Sequence, residues 1–133
     1  MDNELDFCSK TIFVRTIVKD NVIKDKSFDF ALRVVKLYKY LTTNKKEYVL
    51  SKQLLRSGTS VGAMVREAEH AESKADFIHK LSIALKEANE SEYWLELLHQ
   101  SDYIDDKGFQ SISSDLKEIL RLLTSIIKTA KKK

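Results

Sequence analysis

The chain contains no proline, and its 133 residues include only 3 glycines. Proline breaks helix interiors, and glycine serves tight turns, so this shortage removes most of the signals that strand-rich folds use where the chain reverses. An apolar content of 43% is enough for one hydrophobic core in a chain of this length. The sequence therefore predicts a single all-α domain.

Four segments repeat apolar residues at helical spacing. Their approximate bounds are Asn21 or Ser27 to Thr43, Glu47 to Ala71, Ser73 to Ser101, and Asp105 or Asp106 to Ala130. Short connections between amphipathic helices favour antiparallel neighbours, so residues 21–130 are predicted to form an antiparallel up-down-up-down four-helix bundle. We expect residues 1–20 to form an extended arm and residues 131–133 to form a solvated lysine tail.

The second predicted helix carries a cluster of small residues in its middle. A glycine inside a helix costs about 1 kcal/mol relative to alanine, so Gly58 and Gly62 need a compensating contact. Residues four apart share one helix face, and close packing against a neighbouring helix is the simplest explanation. We predict that the helix continues through both glycines and that a helix-packing contact is made by Ser57, Gly58, Ser60 and Gly62.

The segment that starts at Ser57, SGTSVGAMVREAEHAESKADFIHKLSIALKEANESEYWLELL, resembles the signature of a bacterial family of four-helix-bundle proteins. Members include proteins encoded in intervening sequences of large-subunit ribosomal RNA genes. A related member is the accessory variability determinant of diversity-generating retroelements, which works beside a reverse transcriptase. The resemblance covers about residues 26–123 and departs at Met64, where the family usually has asparagine. It implies a pentameric ring that handles RNA or DNA.

Charge is distributed unevenly along the chain, with +5 over residues 21–46 and −8 over residues 67–106. A basic helix face binds phosphate backbones through charge alone, without reading base sequence. We therefore predict a sequence-tolerant nucleic-acid contact on the first two helices, made by Lys26, Arg33, Lys36, Lys39, Lys52 and Arg56. An ordinary solvated face explains the same charges, and the resemblance favours nucleic acid.

The third helix has more apolar residues than one core-facing stripe requires. Tyr93, Trp94 and Leu97 supply this surplus, which is typical of a subunit contact. We expect these three residues at a homo-oligomer interface, and the resemblance implies a pentamer. A basic helix and an acidic helix on one subunit could also meet head to tail in a closed ring.

Two Glu-x-x-His spacings, Glu67/His70 and Glu96/His99, match the motif that di-iron carboxylate bundles use. In an antiparallel pair of helices, Glu67 lies ~9 Å from the connecting turn and Glu96 lies ~35 Å along the next helix, so the two motifs are at opposite ends. No nucleophile and base are paired by a recognisable spacing, and there is no phosphate-binding glycine loop. We expect a non-enzymatic protein without metal or cofactor.

Cys8 is the only cysteine, which leaves no disulfide framework and no thiolate metal cluster. The first eight residues are acidic and do not resemble a signal peptide, and no run reaches the ~20 apolar residues of a membrane span. We expect a bacterial cytoplasmic protein with no membrane partner. Two functions stay open: a nucleic-acid-binding accessory protein that assists a reverse transcriptase or associates with ribosomal RNA, and a structural or protein-interaction module that binds no nucleic acid.

Overall fold

The computed structural model describes residues 21–132. Its helices are α1 Asn21–Asn44, α2 Leu50–Glu69, α3 Lys74–Gln100 and α4 Asp106–Lys132, and these residues include no strand. Each helix packs on the next, and α1 packs on α4 to close the bundle. The predicted all-α four-helix bundle is confirmed. No helix in this part of the chain combines the length and apolarity of a membrane span. The predicted arm, residues 1–20, which includes Cys8, lies outside the described residues, and so does Lys133.

Neighbouring helices run in opposite directions. At one end of the α1–α2 contact, Lys24 pairs with Glu69 at 3.3 Å, and further along α1, Val34 lies against Gly58. As residue numbers rise along α1, the numbers of the residues they contact on α2 fall, so α1 and α2 are antiparallel. The same reversal at the two later connections gives the up-down-up-down order, because short connections leave successive helices side by side and antiparallel.

The core is built from the apolar stripes of all four helices. Each helix contributes large side chains that are at most 1% exposed, among them Phe30 and Val34, Leu54 and Val61, Leu95 and Leu98, and Ile119 and Leu123. Burying one such side chain contributes about 1.5–3 kcal/mol relative to leaving it in water. The helices are therefore stabilised chiefly by packing of these stripes, since most helical stability in proteins comes from tertiary packing of an amphipathic face rather than from helix propensity.

α2 begins at Leu50 rather than near Glu47, because Glu47 caps the helix instead of joining it. Lys46 has a φ of 54°, a left-handed conformation that turns the chain just before the cap. The Glu47 carboxylate accepts hydrogen bonds from the N–H groups of Val49, Leu50 and Ser51 at 3.1, 2.8 and 2.7 Å. These are among the N–H groups that a helix start leaves without an intrahelical acceptor.

The starts of α3 and α4 are also capped by side chains. Ser73 Oγ accepts a hydrogen bond from the N–H of Asp76 at 3.0 Å, and the Asp76 carboxylate accepts one from the N–H of Glu72 at 3.2 Å. At the start of α4, Asp105 Oδ1 accepts from the N–H of Gly108 at 2.7 Å. Serine and aspartate are preferred at this position for that reason, and here they determine where α3 and α4 begin.

Candidate functional site

α2 continues without interruption through Gly58 and Gly62, as the apolar spacing predicted. Both glycines face α1. A Cβ added at Gly58 would lie 2.9 Å from Val34 Cγ2, and one added at Gly62 would lie 3.3 Å from the Ser27 carbonyl oxygen. The missing side chains therefore allow α1 to approach α2 closely, and at Gly62 the neighbour is backbone.

The two serines of the same cluster have different surroundings. Ser57 is fully buried, and its Oγ lies 2.9 Å from Ser91 Oγ on α3, which is also fully buried. Buried hydroxyls are costly unless they are hydrogen-bonded, and here Ser91 donates to Ser57 across the α2–α3 contact. Ser60 is half-buried and donates to the carbonyl of Arg56 on its own helix at 2.7 Å.

Two of the six predicted phosphate contacts make ion pairs with α4. Lys26 Nζ lies 2.5 Å from Glu118, and this hydrogen bond raises the pKa of Lys26 above its ordinary value. Arg33 lies 2.6 Å from the Asp115 carboxylate and also donates to Ser111 Oγ at 2.9 Å. The partners are distant in sequence, so charge counting along α1 could not reveal that these two cations link α1 to α4.

A third predicted phosphate contact, Arg56, pairs with Glu87 and Glu90 on α3. The Glu90 carboxylate also accepts a hydrogen bond from Trp94 Nε1 at 3.0 Å. This contact joins a cation of α2 to the acidic segment, residues 67–106, and the Lys24–Glu69 ion pair joins the basic segment, residues 21–46, to the same acidic segment within one subunit. Part of the charge complementarity that the sequence suggested for neighbouring subunits is satisfied inside the bundle.

The remaining three predicted contacts, Lys36, Lys39 and Lys52, are exposed near the connection between α1 and α2, which itself carries the exposed Lys45 and Lys46. We call these five lysines the α1–α2 corner. Among residues 21–132, none of the five forms an ion pair with a carboxylate. The structure therefore divides the six predicted cations into three that bind carboxylates of the chain itself and three that belong to an exposed cluster.

Residues 36–56 contain a single carboxylate, that of Glu47, against the five lysines of the corner. Glu47 is only 7% exposed. Burial by itself raises the pKa of this carboxyl, but hydrogen bonds from the N–H groups of Ser51, Leu50 and Val49 outweigh burial and hold the pKa below its ordinary value. The charge of Glu47 is therefore held at the start of α2, where it offsets at most one of the five positive charges of the corner, and no other carboxylate among residues 21–132 pairs with these lysines.

The predicted oligomer-interface residues lie on α3. Tyr93 is 55% exposed, whereas Trp94 and Leu97 are half-buried, and Trp94 packs against the core. The Tyr93 and Trp94 rings meet edge to face with 5.0 Å between their centroids. Such an aromatic pair, with one ring anchored and the other in solvent, fits a subunit contact. Its role in assembly stays a prediction.

α1 exposes apolar side chains that the sequence analysis did not single out. Phe28 is 46% exposed and Leu32 is 45% exposed. The Arg66 guanidinium of α2 lies 5.1 Å from the centre of the Phe28 ring, within the range of a cation–π contact. The signal in the sequence was the four-residue spacing of Phe28 and Leu32, which is out of phase with the buried Phe30 and Val34.

α4 carries a further set of exposed cations that the sequence analysis missed: Lys117, Arg121, Lys128, Lys131 and Lys132. The helix ends at Lys132 rather than near Ala130, so Lys131 and Lys132, which were expected in a separate tail, extend it. The signal was the spacing of the first four, at intervals of four, seven and three residues, which keeps them on one side of a helix.

The two Glu-x-x-His motifs take part in contacts between helices. Glu67 pairs with Lys80 of α3 at 3.0 Å. His99 Nε2 lies 2.6 Å from Asp106 Oδ1, and its ring stacks on Phe109 of α4 with 4.1 Å between centroids. In the described part of the chain, no three His, Cys, Asp or Glu side chains are grouped so as to hold a metal ion.

A family model described as 23S rRNA-intervening sequence protein matches residues 19–125. A solved structure of a protein of unknown function from the S23 ribosomal protein family of Bacteroides thetaiotaomicron is 64% identical to this chain, with a TM-score of 0.82. The match covers 83% of this chain and 98% of that chain. No curated protein is significantly similar to the chain. The family model therefore covers residues 21–125 of the four-helix region, residues 21–132.

Proposed function

Because the chain belongs to the family of 23S rRNA-intervening sequence proteins, we propose that it is a non-enzymatic, homo-oligomeric, cytoplasmic accessory protein that binds RNA or DNA without reading base sequence. The observation that carries the proposal is the positive charge of the α1–α2 corner, whose lysines make no ion pair among residues 21–132. Residues 36–52 contain these five lysines and one carboxylate, Glu47, which is buried at the start of α2.

Lysines suit a contact that tolerates any sequence. An ammonium group is a compact point charge on a flexible stem, so it attracts phosphate oxygens without the fixed fork that arginine presents to a base edge. Contacts to phosphate position a protein on nucleic acid but carry no sequence information. Five exposed lysines at the corner of each subunit would be repeated in an oligomer, and weak contacts would then be strengthened by multivalency.

Lys26, Arg33 and Arg56 have a different role in this proposal. Their ion pairs hold α1 against α4 and α2 against α3. Charge reversal at Arg33 would place a carboxylate beside Asp115 and would disturb the bundle as well as any bound nucleic acid. The test of the corner therefore uses only lysines that make no ion pair among residues 21–132.

The decisive variant neutralises Lys36, Lys39 and Lys52 together as Lys36→Gln, Lys39→Gln and Lys52→Gln. We expect weaker binding of single-stranded RNA, with a plot of log Kobs against log salt less steep by about 2, because each phosphate neutralised on a single strand contributes about 0.7 to the slope. Lys86→Gln, on the exposed side of α3, is the control and should leave the slope almost unchanged. Circular dichroism and oligomer mass should not change in either variant.

A parent protein that binds neither RNA nor DNA at low salt would refute the proposal. The protein-interaction module would then take its place, supported by the exposed Phe28 and Leu32 on α1. The two functions respond differently to salt, since an apolar protein contact is not weakened by it. A reverse transcriptase or ribosomal RNA is the partner that the family resemblance implies, and the corner offers the same phosphate chemistry to nucleic acid in either setting.

A further inference from the structure

Five exposed cations follow the outer side of α4, and we call them the α4 stripe: Lys117, Arg121, Lys128, Lys131 and Lys132. The opposite side of the helix is the core face, where Ile119, Leu123 and Ile126 are buried. From Lys117 to Lys131 the stripe extends about 21 Å along the helix, at 1.5 Å per residue. The surface around two of these cations is a shallow open depression, lined by Leu120, Arg121, Thr124, Ser125 and Lys128.

The carboxylates of α4 do not neutralise this stripe. Beyond the first turns, α4 has only Asp115 and Glu118, and both pair with cations of α1, at 2.6 and 2.5 Å. In residues 21–132, none of the five stripe cations makes an ion pair. From Ile119 to Lys132 the helix contains no acidic residue at all.

Helix stability explains only part of this pattern. Lysines in the last turn interact favourably with the negative end of the helix dipole, by about 0.3–1 kcal/mol each, and this accounts for Lys131 and Lys132. The effect is confined to that turn. Lys117, Arg121 and Lys128 lie further back, where no helix end and no partner carboxylate among the described residues accounts for them.

We propose that the α4 stripe is a second nucleic-acid contact, along which the phosphodiester backbone of a single strand runs parallel to the helix. The proposal rests on the nucleic-acid function proposed above and adds a surface that is separate from the α1–α2 corner. α4 is antiparallel to α1, since Arg33 contacts Ser111 and Lys26 contacts Glu118. The stripe therefore extends towards the end of the bundle opposite the corner, and a strand long enough to reach both would touch two ends of one subunit.

The chemistry of α4 favours nucleic acid over a membrane surface. A helix that lies in a bilayer interface inserts an apolar face beneath its basic residues. The apolar face of α4 is already buried in the bundle, and the side chains between the stripe cations include the hydroxyls of Thr124 and Ser125. Charges spread over about 21 Å with hydroxyls between them match a chain of phosphates better than a single anionic group.

The test neutralises the stripe in the full chain as Arg121→Gln, Lys128→Gln and Lys131→Gln. The corner variant with Lys36, Lys39 and Lys52 changed to Gln removes the same charge from the other proposed contact and is the comparison, and Lys86→Gln, on the exposed side of α3, is the control that should leave the slope almost unchanged. The probe is a mixed-sequence single-stranded RNA, and binding is measured over a range of salt. We expect the stripe variant to lower the salt slope by about 2, and RNA to protect Lys117 and Lys128 of the parent from acetylation while Lys86 stays reactive.

Each outcome decides between the proposals. A parent that does not bind RNA refutes the nucleic-acid function and the stripe with it. The stripe alone is refuted if the parent binds RNA, the stripe variant has the same salt slope as the parent, and RNA does not protect Lys117 and Lys128 from acetylation. Binding of the parent to phosphatidylserine vesicles but not to RNA would also overturn it, since the stripe would then serve a lipid surface. A smaller salt slope in the stripe variant, together with protection of Lys117 and Lys128 of the parent from acetylation, supports the proposed stripe contact.

Discussion

Replacing Glu47 by glutamine should weaken the start of α2. In the parent, one carboxylate oxygen accepts from Val49 and Leu50 and the other accepts from Ser51. The amide keeps one oxygen but turns an NH2 group towards the third N–H, so one bond to a charged acceptor is lost, at about 1.5–3 kcal/mol. The favourable charge at a helix N-terminus adds about 0.3–1 kcal/mol. We expect the free energy of unfolding of Glu47→Gln to fall by about 2 kcal/mol at pH 7.

The difference in the free energy of unfolding between the parent and Glu47→Gln should depend on pH in a defined direction. The folded-state pKa of Glu47 is lowered from its ordinary value of 4.5, so the ionised carboxylate contributes stability above that value. This contribution is lost as pH falls through the folded-state pKa, because the protonated acid then resembles the amide. Parent and Glu47→Gln should therefore differ most near neutral pH and converge under acidic conditions.

Urea denaturation followed by circular dichroism, at several pH values and one fixed protein concentration, measures both effects. Glu96→Gln is the control, since Glu96 is exposed, makes no ion pair among residues 21–132, and should change stability by less than about 0.5 kcal/mol. Equal stability of parent and Glu47→Gln at pH 7 would refute the capping role. A difference that persists unchanged at acidic pH would refute the role of the charge.

Two further predictions concern packing and assembly. Gly58→Leu should lower the free energy of unfolding by about 1–3 kcal/mol despite a better helix propensity, because the added side chain must displace the buried Val34. The Val34 Cγ2 atom lies 2.9 Å from where the new Cβ would be. A variant that is more stable than the parent in urea denaturation would contradict this prediction. Light scattering should give a mass several times the 15.4 kDa of one chain, consistent with a pentamer, and Tyr93→Glu should reduce it; a parent that is monomeric at moderate salt would refute the predicted interface.

The sequence by itself determined the fold class and the order of the helices. The absence of proline, the spacing of the apolar residues and the caps at Ser73 and Asp105 are local features, and their effects depend on residues close in the chain. The continuation of α2 through Gly58 and Gly62 was predictable for the same reason. The errors at this level were at helix ends: Glu47 was placed inside α2, and Lys131 and Lys132 were placed outside α4.

Only the tertiary structure decided which charges are available to a ligand. Arg33 and Lys36 have similar positions in a charge count, yet Arg33 contacts Asp115 and Lys36 makes no ion pair within residues 21–132. The partner of Arg33 lies on α4, far along the chain, and an ion pair between distant segments leaves no trace in local spacing. Charge is a property of one residue, but its compensation depends on which helix faces are brought together, and packing of the four apolar stripes determines that.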